Sequence, residues 1–122
     1  MGEELSPGPG TAVLVIPMPG GMETPTDTVA AMIAWLFRHG GPRTGEVLTR
    51  LERHGWTLEL PDPGAVAQTE LWASARFPDV EQARAAARPF QGRVSDLMRW
   101  TPADRPADAT WLAVAEPTGA DQ

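Results

Sequence analysis

The sequence predicts an α+β fold, a ferredoxin-like βαββαβ split pattern with an extra helix in the first crossover (order β-α-α-β-β-α-β) on a four-stranded antiparallel sheet. Three observations carry that expectation. An apolar, β-branched run stands near the start; two helical patterns separate it from a pair of alternating segments; and a third helical pattern separates that pair from a last alternating segment. Right-handed crossovers would place the first and third strands in the middle of such a sheet. A winged-helix arrangement would need a third helix between Arg43 and Trp56, where there is no room for one.

The elements follow in order. Residues 1–10 read as a tail, because Ser6-Pro7-Gly8-Pro9-Gly10 suits neither helix nor ladder, and the single domain is expected over residues 11–116, with a second short tail at 117–122. Thr11 to Met18 contains Ala12-Val13-Leu14-Val15-Ile16, apolar on both alternating faces, which suits a central strand buried on both sides. Thr24-Pro25-Thr26-Asp27 has the chemistry of a helix start, with Thr24 as cap, Pro25 in the first turn and Asp27 at the positive helix end. Val29, Met32, Ile33 and Leu36 then recur at helical spacing, and Ala30, Ala34, Trp35 and Phe37 widen the apolar stripe. His39-Gly40-Gly41-Pro42 ends that helix. A second is expected from Arg43 or Thr44 to His54, with Val47, Leu48 and Leu51 inward and Gly55 as its stop.

Trp56-Thr57-Leu58-Glu59-Leu60 alternates, and so does Gln68 to Phe77, where Leu71, Ala73, Ala75 and Phe77 oppose Glu70, Trp72, Ser74 and Arg76; together they predict a hairpin. Pro78-Asp79 opens a third helix reaching about Arg88, with Val80, Ala83, Ala87 and Phe90 toward the sheet. Residues 91–109 are ambiguous, since Val94, Leu97 and Met98 have helical spacing while Asp96, Met98 and Trp100 alternate. Thr110 to Ala115 reads as the last strand, with Trp111, Ala113 and Ala115 opposite Leu112 and Val114.

Composition limits function. The chain of 122 residues has no cysteine, hence no disulfide, no thiolate nucleophile and no cysteine-bound metal. Its net charge of −6 lies mostly at the ends: residues 11–100 hold nine arginines against ten acids, interleaved, so no basic footprint for nucleic acid is expected. The longest apolar run, Val29 to Phe37, is about half of what a bilayer requires, so no membrane partner is expected. The acidic start does not resemble a secretory signal, and a cytoplasmic location is the expectation.

Chemistry-bearing residues are sparse. His39 and His54, each just before a glycine at a helix end, suit the negative end of a helix dipole better than a general base. With Arg76 they are the only, and weak, catalytic candidates. No metal site and no cofactor are called for, and Gly20-Gly21 matches no phosphate-binding motif. Trp72 is more informative. It alternates with Ser74 and Arg76 on the strand face opposite the apolar one, and with Trp111 it would leave aromatic surface on the bare side of a one-sided sheet. Trp72, Ser74, Arg76 and Trp111 are therefore the expected interface or ligand-binding residues. The expected function is a non-catalytic binding or accessory module, homodimeric through that face. The alternative is a small cofactor-independent enzyme of dimeric α+β barrel type acting on a small apolar ligand, with which Phe77-Pro78-Asp79-Val80-Glu81-Gln82-Ala83 after a strand is compatible.

Overall fold

The first strand forms where β-branched and aliphatic residues are densest, and everything else is arranged around it. The computed structural model describes residues 8–18, 28–61 and 69–114. In chain order it contains β1 (Gly10–Pro17), α1 (Val29–His39), α2 (Pro42–Arg53), β2 (Thr57–Glu59), β3 (Glu70–Phe77), α3 (Val80–Ala87), β4 (Leu97–Pro102) and β5 (Thr110–Ala113). Short 3-10 turns at Arg88–Phe90 and Pro106–Asp108 extend α3 and lead into β5.

The fold is mixed α+β with one antiparallel sheet, in the order β2-β3-β1-β4-β5. Five strands replace the expected four. The addition comes from the ambiguous stretch: Met98 and Trp100 take the strand alternation and pair with Leu14 and Ala12, so Leu97–Pro102 becomes the neighbour of β1, and Thr110–Ala113 moves out to the sheet edge. Helical spacing at Val94, Leu97 and Met98 loses because Gly92, at φ +76°, and the turn at residues 91–94 break the chain direction just before them.

Side-chain alternation divides the sheet into two faces. Ala12, Leu14 and Ile16 of β1, Leu58 of β2, Leu71 and Ala73 of β3, Met98 and Trp100 of β4, and Val114 after β5 are buried in one cluster with residues of all three helices. From α1 come Met32, Trp35 and Leu36, from α2 Val47, Leu48 and Leu51, and from α3 Ala83 and Ala87, followed by Phe90. At roughly 1.5–3 kcal/mol per buried large aliphatic or aromatic side chain, this face is the main source of stability. Gly10 is part of it: a Cβ there would lie 2.5 Å from the Trp100 ring and 2.6 Å from the Thr101 carbonyl oxygen, so only glycine lets that indole lie against β1.

Helix ends follow local chemistry, with one revision. Thr28, not Thr24, caps α1: its hydroxyl accepts the Ala31 N–H at 3.0 Å. The Thr24–Asp27 pattern and Gly20-Gly21 lie outside the described residues. Pro42 stands in the first turn of α2, where its missing N–H costs nothing. At the other end Gly55 takes φ +92°, its N–H donates to the Glu52 carbonyl, and the Trp56 N–H donates to Leu51 at 3.0 Å. That is the Schellman pattern, and the buried pair Leu51 and Trp56 supplies its apolar contact. Asp79 caps α3 by accepting the Gln82 N–H at 2.8 Å. Gly45 lets α1 and α2 approach, because the Phe37 ring occupies the place of its absent Cβ.

Candidate interaction face

The second face of the sheet meets no described helix. Strand register places Thr57 and Glu59 of β2 beside Ser74 and Trp72 of β3, and those beside Val13 and Val15 of β1. Across β1, Arg99 and Thr101 of β4 follow Val13 and Thr11, with Leu97 next along β4; Trp111 and Ala113 of β5 lie beside Arg99 and Leu97. Apolar side chains therefore run across the middle of the face, at Trp72, Val13, Val15, Leu97 and Trp111. Leu97 and Trp111 are 48% and 49% exposed.

Val13 is only 7% exposed although no described helix lies on this side, and side chains of β3 and β4 flank it. The geometry of one such pair is defined. The Arg99 guanidinium carbon lies 5.6 Å from the centroid of the Trp72 ring, a cation–π contact that reaches across the β1 column. The Trp72 indole N–H in turn donates to Glu70 Oε1 at 2.9 Å. Trp72 is thereby held at both its face and its polar edge. Two acids, Glu59 and Glu70, lie on the β2–β3 side of β1, while Arg99 is rooted on the β4 side.

All four expected face residues, Trp72, Ser74, Arg76 and Trp111, belong to this surface; Arg76 is exposed beside Thr11. Trp72 and Trp111 are not neighbours, since β1 and β4 separate their strands, a distance of about 14 Å at the usual strand spacing. Sequence reasoning missed Val13, Val15, Leu97 and Arg99. The available signal was the alternation of Met98 and Trp100, which sends Leu97 and Arg99 to the opposite face.

The histidines are elsewhere. His39 is exposed at the end of α1, its ring 4.6 Å from that of Trp35. His54 is exposed at the end of α2, 6.4 Å from the Phe90 ring. The twelve residues of α2 lie between them, about 18 Å of helix, and both are on helices while Arg76 points from the uncovered sheet face. Neither histidine lines the clefts beside α2 or the one at the start of β4. A cleft of about 290 Å³ between the end of β1 and α2 is lined by Ile16, Met18, Leu36, Val47 and Val94, with Arg93 at its rim.

Among the described residues no group of three His, Asp or Glu converges, and no helix is long and apolar enough to cross a membrane. The chain matches no protein-family model, no curated protein and no solved structure.

Proposed function

We propose that this chain is a non-catalytic binding or accessory module that works as a homodimer through its uncovered sheet face. In the same reading, the order β2-β3-β1-β4 is the ferredoxin-like split pattern and β5 is a strand added at one edge. The observation that carries the proposal is the apolar band of Val13, Val15, Trp72, Leu97 and Trp111 on a face that no described element covers.

Charge placement supports a second copy as the occupant. With a two-fold axis along β1, the β2–β3 side of one copy lies over the β4–β5 side of the other. Glu59 and Glu70, which outnumber Arg76 on their side, then approach the strand from which Arg99 extends, and Trp72 approaches the exposed Leu97 of its mate. The surface is complementary to itself, as a two-fold interface requires. Trp111, 49% exposed, and the partly buried Trp72 are the aromatic anchors of such a contact.

Gel filtration coupled to light scattering at micromolar concentration tests the reading. The wild type is expected to self-associate, and Leu97→Glu to keep its fold by circular dichroism while its assembled mass falls through loss of the face contact. A folded wild-type monomer, or a folded Leu97→Glu variant of unchanged mass, overturns it. The enzyme alternative would use the 290 Å³ cleft for a small apolar ligand, but neither histidine lines that cleft.

A further inference from the structure

The two edges of the sheet are not equivalent. On one side β2 is three residues long, carries Glu59 and is followed by Pro61. Shortness, a charge and a nearby proline are the usual means of keeping a second chain off an edge. On the other side β5, four residues long, carries no charge within the strand: Ala109 to Ala115 is uncharged and lacks proline, and the nearest charges and prolines, Pro106 and Asp108 before it and Glu116 and Pro117 after it, lie outside that run. Its Thr110, Trp111 and Ala113 are exposed.

Register shows which backbone groups that edge offers. Val114 lies opposite Asp96 and donates its N–H to the Asp96 carbonyl at 3.3 Å, so that pair is a hydrogen-bonded one. Antiparallel ladders alternate. Leu112 opposite Met98 is then hydrogen-bonded as well, whereas Trp111 and Ala113 turn their N–H and C=O groups away from β4. These four groups form a regular docking row.

We infer that β5 pairs antiparallel with β5 of a second copy about a two-fold axis at Leu112, joining two sheets edge to edge. In this register Trp111 faces Ala113 of the partner subunit, and the two residues exchange both backbone hydrogen bonds; symmetry repeats the exchange, making four. The large indole is matched with a small methyl on the open side. On the helix side, the half-buried Leu112 meets Leu112 of the partner subunit at the close spacing of a non-hydrogen-bonded pair, extending the core across the junction. The contact does not rest on the open-face dimer; the axis at Leu112 and the axis along β1 do not intersect, so copies that use both contacts form an open-ended array instead of a closed assembly.

Residue-resolved amide hydrogen exchange on the full chain, over a concentration series with parallel light scattering, tests the inference. The Trp111 and Ala113 amides, which have no partner in β4, are expected to become protected about ten-fold or more as the assembly forms. Ala113→Pro removes an N–H that the internal ladder does not use, so it should keep the fold, remove protection at Trp111 and lower the assembled mass. Ala113→Lys, which leaves the backbone intact, should do the same if the proline variant fails to fold. Leu97→Glu, which disrupts only the open face, should leave the edge protection in place. Fast exchange at both amides at every concentration overturns the inference, as does protection independent of concentration, an unchanged mass in a folded Ala113 variant, or loss of protection in Leu97→Glu.

Discussion

The two faces of this sheet are made of similar residue types and have different fates. Toward the helices, Leu14, Leu71 and Met98 are completely buried. On the other side Val13, Val15, Leu97 and Trp111 are as apolar in composition, yet Leu97 and Trp111 keep about half their surface in water. Hydrophobicity alone does not say which side of a strand becomes core; three helices cover one face, and no described helix covers the other. The charged groups differ too. None of the core cluster residues is ionisable, whereas the uncovered face has Glu59, Glu70, Arg76 and Arg99 placed among its apolar residues.

Substitutions can sharpen that contrast. The largest effect is expected on the helix side: Leu36→Ala or Met98→Ala should lower unfolding free energy by roughly 2–5 kcal/mol, read from urea denaturation. Leu97→Ala on the uncovered face should cost under about 0.5 kcal/mol under conditions where the chain is monomeric. Similar losses at Met98 and Leu97 would erase the distinction between the faces.

Gly10→Ala comes next. The new methyl would press on the Trp100 ring and the Thr101 carbonyl, and overpacking of this kind costs about 1–3 kcal/mol. A neutral outcome by thermal denaturation would mean that Trp100 is free to move off β1. Asp79→Ala should cost about 0.5–2 kcal/mol through loss of the α3 cap, with Asp79→Asn largely restoring it.

A small effect is also expected for His39→Gln combined with His54→Gln. Both side chains are exposed at helix ends, and the pair should contribute at most about 1 kcal/mol, measured as a denaturation midpoint at fixed pH. A larger loss would give the histidines a structural role that their positions do not indicate.

Much of this was legible because it is local. Period-two alternation at Trp56, Leu58 and Leu60 and along Leu71 to Phe77 identifies the buried side of β2 and β3, and period 3.6 at Met32 and Leu36 identifies that of α1. Placing Trp72, Ser74, Arg76 and Trp111 on the outward side needed only the same alternation. Glycine at 55 and aspartate at 79 mark their helix ends through geometry confined to a few residues. The start of α1 shows the limit of such reasoning: Thr24 and Thr28 both have capping chemistry, and the register in which the helix packs selects Thr28.

By itself, then, the sequence determined the mixed α+β class, the hairpin of β2 with β3, the helix-facing residues and the absence of cysteine chemistry, all through composition or short-range periodicity. Only the tertiary structure decided that Leu97–Pro102 is a strand, because Met98 and Trp100 satisfy two periodicities and it is pairing with Leu14 and Ala12, more than eighty residues earlier in the chain, that selects one. It also decided that β1, apolar on both sides, has one side against the helices and the other facing no described helix, and that Arg99 reaches Trp72 across it. A strand's alternation separates its two faces; which of them a helix will cover depends on the chain path between strands, and that is a property of the whole fold.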